Sequence, residues 1–259
     1  MNYWTKLSVE YASQKSYLDD LFRVYPTIPE GIREINEDVW KNIKIAFKFR
    51  DNEKLIRELL KLDLFPIKDS YIAFLRRFPE AISLNPKTIN RIAGRLYEMG
   101  LDDIYNKSTT PKETNRQMGP KFREWIDKKF LGVELLETDE FLNTKDNAIL
   151  KGSDSKLTSF ANEHLNYSAD KGLDFIGKFN EKYVVGEAKF LTDFGGHQNA
   201  QFRDATALLE DKQVNAIRIA ILDGVLYIKG ENKMYKYLEN HPNQIILSSL
   251  VLREYLYSI

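Results

Sequence analysis

The chain has 259 residues, enough for one large domain or two small ones, and its 38 Lys or Arg balance 38 Asp or Glu to a formal charge of zero. The absence of cysteine excludes disulfides and thiolate zinc sites. The opening stretch MNYWTKLSVEYASQ lacks the apolar segment of a secretory signal and no apolar run approaches a membrane span, so a cytoplasmic protein without a membrane partner is expected. The neutral total conceals a gradient. Residues 1–69 balance, residues 70–129 carry 12 basic against 7 acidic residues, and residues 130–259 carry 14 against 19. A basic region beside an acidic one suits a polyanion held near carboxylates that bind cations.

The first half spaces its apolar residues at three and four, as helices do: DVWKNIKIAFKF, EKLIRELLKLDLF and SYIAFLRRFPEAI. The clearest helix is NPKTINRIAGRLYEMG, with Asn85 as N-cap, Pro86 at the first helical position and Gly100 as the stop. Its apolar face is Ile89, Ile92, Ala93 and Leu96, and Lys87, Arg91 and Arg95 form a separate basic stripe suited to phosphate contacts or simply to solvent. A turn-rich stretch, NKSTTPKETNRQMGP, follows. KFREWIDKKF then resumes a helix with Phe122, Trp125, Ile126 and Phe130 on one face. Beyond it the period shifts towards strands in LDFIGKF, KYVVGEAKFL, AIRIAIL and VLYIKG, and Asp223–Gly224 reads as a hairpin turn between the last two. The latter part of GGHQNAQFRDATALLEDK reads as a helix, and QIILSSLVLREYLYSI is ambiguous.

Within LDFIGKFNEKYVVGEAKF, three charged groups, Asp174, Glu187 and Lys189, sit in segments that otherwise read as buried strand, where charge is tolerated only when paired or functional. With Asn180–Glu181 as a two-residue turn, Phe179 faces Lys182 and Asp174 falls opposite Glu187. Glu187 and Lys189, two apart on one strand, share that face. Facing carboxylates repel unless a cation lies between them, and oxygen ligands at that separation suit Mg²⁺. Acidic-x-Lys also occurs at Asp127, Asp154, Glu210 and Glu231, but in polar or helical surroundings. A structural salt bridge from Lys189 is the plainer alternative and leaves one carboxylate unexplained.

Asp174 followed by Glu187-Ala188-Lys189 on the next strand resembles the PD-(D/E)xK nuclease superfamily, and most closely its type II restriction endonucleases. The resemblance covers about residues 110–230; Leu173 stands where the motif name has proline, and Glu124, opposite the apolar face of its helix, is not given the acidic role that some members place there. It implies an α/β (α+β) nuclease core with a central mixed sheet flanked by helices over 111–259. A helical region over 1–110, for DNA binding or dimerisation, would precede it. It further implies Mg²⁺-dependent hydrolysis of double-stranded DNA to 5′-phosphate and 3′-hydroxyl ends. Asp174, Glu187 and the Ala188 carbonyl would hold the metal, and Lys189 would orient or deprotonate the attacking water.

The segment after the catalytic strand offers His197, Gln198, Asn199, Gln201 and Arg203, whose amide and guanidinium groups suit base edges, in a loop opened by Gly195–Gly196. Arg116 and Gln117 are weaker candidates of the same kind, and Lys87, Arg91 and Arg95 are assigned to phosphates. A homodimer follows from the task, since two strands of a symmetric site need two active sites. A DNA methyltransferase of the same specificity would be its companion. The rivals are a repair or junction-resolving nuclease with the same core, and a DNA-binding module without chemistry.

Overall fold

The computed structural model describes residues 1–26, 33–111, 118–169 and 171–259. They form two compact units, Met1–Thr27 with Thr114–Ile259, and Ile28–Glu113. The first 27 residues, grouped with the helical region by their sequence, thus belong to the sheet unit. Their helices Tyr3–Ala12 and Tyr17–Val24 place Val9, Tyr17, Leu21 and Val24 in its core.

The sheet unit is built on six strands in the spatial order of the chain: β1 (Glu134–Leu136), β2 (Ala148–Leu150), β3 (Phe175–Phe179), β4 (Lys182–Leu191), β5 (Ile217–Gly224) and β6 (Ile245–Leu247). β1 and β2 are parallel, β2, β3 and β4 are antiparallel neighbours, and β4, β5 and β6 are parallel. The expected mixed sheet flanked by helices is therefore present. The helix Gly196–Glu210 carries the chain from β4 across to the parallel β5, the connection such a pair requires.

Each face of the sheet carries its own apolar core. Phe175, Phe179, Val184 and Ala188 pack with Phe122, Leu238 and Leu256 from helices on one side. Ile176 and Val185 pack with Phe141, Leu157, Phe160 and Ala161 on the other. Burial on both faces explains why β4 reads as a nearly continuous apolar run. Lys178 of β3 is buried without a carboxylate: its Nζ donates to the carbonyls of Phe141, Leu142 and Thr144 at 2.9–3.1 Å, which ends the helix Thr138–Asn143.

The β3–β4 hairpin turns on Asn180 and Glu181, both left-handed (φ 48° and 63°), as a two-residue turn matched to strand twist demands. The register runs from Phe179 opposite Lys182 to Phe175 opposite Gly186. The regular ladder ends there: the Asp174 N–H donates to the Gly186 carbonyl at 3.1 Å, the residue already paired with Phe175, so the expected pairing of Asp174 with Glu187 is not part of the ladder.

The expected hairpin at Asp223–Gly224 does not form. β5 continues through both residues, and Val225–Tyr227 is a 3₁₀ turn rather than the start of a strand. The reason is chemical. Asp223 is fully buried and accepts from Tyr25 Oη (2.9 Å), Ser248 Oγ and the Ser249 N–H (3.3 Å). Gly224 has φ 99°, and a Cβ there would lie 2.1 Å from the Leu191 carbonyl oxygen, so glycine serves a close strand approach here. The ambiguous C-terminus divides into β6 and the helix Leu252–Ser258. Phe130, assigned to a buried helix face, lies beyond the helix Met118–Asp127 and is 54% exposed, stacked on Trp125.

The second unit is helical, with Glu37–Lys48, Asn52–Leu60, Ile72–Arg77, Ala81–Leu84, Pro86–Met99 and Leu101–Ser108. Ile43, Leu55, Ile56, Ile82 and Ile104 form its core together with Ile89, Ile92 and Leu96, three residues of the expected apolar face. Asn85 occupies the cap position of Pro86–Met99, but its side chain donates back to the Ala81 carbonyl at 2.7 Å; Gly100 ends the helix at φ 81°. No described helix in either unit is long and apolar enough to cross a membrane.

Candidate active site

Asp174 lies one residue before β3, and Glu187 and Lys189 lie in β4 on the sheet face that carries Val185; the hairpin brings the three together. Asp174 Oδ2 accepts from the Ala188 N–H at 2.9 Å and lies 3.1 Å from Lys189 Nζ. Lys189 Nζ lies 2.6 Å from Glu187 Oε1. The Glu187 side chain is 11% exposed and that of Lys189 27%.

This arrangement perturbs the charges. Burial pushes the Glu187 carboxyl up to about 7, and the facing Asp174 carboxylate adds to the rise; Lys189 and Lys171 oppose it. Burial works against the Lys189 ammonium, but Asp174 and Glu187 together hold it above the ordinary lysine value. Lys171, which has no periodic or motif signal to announce it, forms an ion pair with Asp204 of the helix Gly196–Glu210.

Whether these groups fit a divalent cation is answered by what already lies between them: a side-chain ammonium bridges two carboxylates. The Ala188 N–H is turned to Asp174, beyond the last pair of the β3–β4 ladder. No group of three or more His, Cys, Asp or Glu is assembled for a metal among the described residues. Two carboxylates and a backbone carbonyl form a hard oxygen set that leaves positions for water and phosphate oxygen, as Mg²⁺ prefers.

An open groove of about 630 Å³ is lined by Arg123, Asp127, Lys129, Lys151 and Ser153. A narrow cleft shares Arg123, Asp127 and Gly152 with that groove and reaches Asp174.

The expected base-reading loop is a helix. Gly195 is its N-cap and Gly196 its first residue, so His197 to Arg203 form its first two turns. Gln198 is buried and its Oε1 accepts from the Thr192 N–H at 3.0 Å, which fixes the exit from β4; it is not free for a base. Asn199 donates to the carbonyls of Phe194 (2.7 Å) and Gly195 (3.1 Å). His197 and Arg203 are exposed, and Gln201 Nε2 lies 3.2 Å from His197 Nε2. In the helical unit Lys87, Arg91 and Arg95 are exposed on one helix, but Arg91 is committed to Asp69 at 2.6 Å. Arg116 and Gln117 lie outside the described residues.

Neither a curated relative nor a solved structure matches the sequence. The family model for Tsp45I type II restriction enzyme matches residues 2–259. That match spans the sheet unit and the helical unit alike, and the chain therefore belongs to the Tsp45I family of type II restriction enzymes, site-specific deoxyribonucleases that act on DNA.

Proposed function

We propose that Asp174, Glu187 and Lys189 are the catalytic groups of this endonuclease, that it requires Mg²⁺, and that it leaves 5′-phosphate and 3′-hydroxyl ends. The observation that carries this reading is the convergence of two facing carboxylates and one ammonium within 3.1 Å at the open end of the hairpin. Asp174, Glu187 and the Ala188 carbonyl would hold the metal. When bound, Mg²⁺ lowers the pKa of an attacking water and offsets charge gathering on the phosphoryl oxygens.

The chain's own groups do the rest. Asp174 Oδ2 accepts from the Ala188 N–H and from Lys189 Nζ, which holds the carboxylate in place and leaves Oδ1 for a ligand. Glu187 must be ionised to serve, and burial makes that unfavourable until a cation arrives. Lys189 remains an ammonium between two carboxylates, so it positions water and balances phosphate charge instead of taking a proton. The groove lined by Arg123, Lys129 and Lys151 is the approach for the duplex backbone, whose phosphates would compete for cations now paired with Asp154, Glu134 and Glu137. His197, Gln201 and Arg203, exposed or half-buried on the helix that leaves β4, are the side chains left for base contacts there, and Lys87 and Arg95 serve phosphates. A homodimer would cut both strands of a symmetric site, and a methyltransferase of the same specificity would protect the host DNA in the cytoplasm.

Incubating the purified protein with unmethylated phage DNA, with Mg²⁺ or with EDTA, tests the reading. Discrete fragments with Mg²⁺ alone, carrying 5′-phosphates on end sequencing, are expected. Equal cutting in EDTA would overturn the metal requirement, and a smear would favour a nuclease that reads shape.

A further inference from the structure

The helical unit exposes aromatic rings where a solvated face would carry polar residues. Tyr71, Phe74 and Phe78 are 56%, 60% and 46% exposed. Their spacing of i, i+3 and i+7 puts them on one stripe along the helix Ile72–Arg77 and its two flanking residues. The rings of Phe74 and Phe78 meet edge to face at 6.0 Å. None of these three side chains belongs to the core of the unit, which takes Ile72 and Leu75 from the same segment.

The surroundings of the stripe are basic. Residues 68–95 carry six Lys or Arg against two Asp or Glu. Arg91 lies over the Tyr71 ring, 5.7 Å from its centroid, which joins the aromatic stripe to the helix that bears Lys87 and Arg95. Arg77, Lys87 and Arg95 are exposed and form no ion pair among the described residues. Apolar rings set among unpaired cations suit an occupant with π-faces and phosphates. A second copy of the same face would instead bring like charges together.

We infer that Phe74 and Phe78 dock on duplex DNA as an apolar wedge at a base step, with Arg77, Lys87 and Arg95 holding the adjoining phosphates. The inference rests on the restriction-enzyme reading for its substrate and adds a contact that the catalytic site does not supply. Wedges of this kind unstack a step and bend the duplex, which makes the site's deformability part of what is read.

The test compares the full chain with its Phe74→Ala/Phe78→Ala variant, using a fluorescein-labelled duplex of mixed sequence read by anisotropy and a doubly labelled duplex read for bending. Both rings are exposed, and circular dichroism with thermal unfolding checks the fold. The double variant should bind about ten-fold or more weakly. It should bend the duplex less, while the slope of affinity against salt stays unchanged because no charge is lost. Phe74→Trp/Phe78→Trp should restore binding. Unchanged affinity and bending in the alanine variant overturn the inference, as does a loss of self-association on sedimentation with DNA affinity retained. A parent chain that binds the duplex but never cuts DNA with Mg²⁺ would count against the catalytic reading alone. A parent that cuts, paired with an alanine variant of equal affinity, counts against the wedge alone.

Discussion

Replacing Glu187 by Gln separates a metal-ready site from an ordinary salt bridge. In the metal-free protein the Glu187 carboxyl is raised from 4.5 to about 7, chiefly by burial and then by Asp174. A raised carboxyl binds its proton more tightly in the folded state, so its contribution to stability is fully present below pH 4.5 and is lost as pH rises through about 7. At about 1.4 kcal/mol per tenfold change in proton affinity, that loss is on the order of 2–3 kcal/mol. The amide of the Glu187→Gln variant cannot ionise. That variant should therefore exceed the parent in stability by about 2 kcal/mol near pH 8.5 in EDTA and lose that advantage near pH 4.5. Urea unfolding followed by circular dichroism at the two pH values provides the measurement. Adding Mg²⁺ at the higher pH should stabilise the parent and not the variant. If Glu187→Gln were less stable than the parent in EDTA at high pH, the Glu187–Lys189 pair would be a net stabilising bridge, and the account of a strained, cation-seeking carboxylate would fail.

If Glu187 holds the metal as proposed, Mg²⁺ must displace this proton below pH 7, so the Mg²⁺ concentration for half-maximal cleavage should rise steeply, approaching tenfold per pH unit, and a flat requirement would remove Glu187 from the ligand set. Asp223→Ala strips the acceptor from Tyr25, Ser248 and the Ser249 N–H and should lower the unfolding free energy by about 3 kcal/mol, whereas Asp223→Asn keeps one acceptor and should lose less. Equal losses in denaturant titrations would show that charge, not acceptance, matters there. Lys87→Gln with Arg95→Gln should weaken DNA binding on every sequence and reduce the salt slope by about two contacts. A loss confined to some sequences would make that helix a reader.

Much of this was legible in the sequence because short-range rules governed it. The two-residue turn at Asn180–Glu181 fixed the pairing of β3 with β4 from Phe179–Lys182 to Phe175–Gly186, and Asp174, one residue further on, comes beside Lys189 and Glu187 although the regular ladder has ended there. The helix Pro86–Met99 followed from its spacing and from Pro86 and Gly100. What escaped depended on partners distant in the chain. Asp223–Gly224 has the composition of a turn, but Tyr25, 198 residues away, and Ser248 convert Asp223 into a buried acceptor. Gly195–Gly196 read as the opening of a loop and instead starts a helix whose Gln198 closes on Thr192. Strands β1 and β2, of three residues each, are too short for any period to show. The affiliation of the first 27 residues with the sheet is likewise set by tertiary packing, since an amphipathic helix does not declare which core it covers.

Catalysis by Asp174, Glu187 and Lys189 is the core of the proposed mechanism. Its most direct test is single-turnover cleavage of unmethylated DNA by the parent, Asp174→Asn and Lys189→Ala at saturating protein, with binding of the same DNA measured in parallel. Both variants should retain DNA binding and cut at a rate at least about a thousand-fold below that of the parent. Cleavage by either variant at the parent's rate would contradict the account.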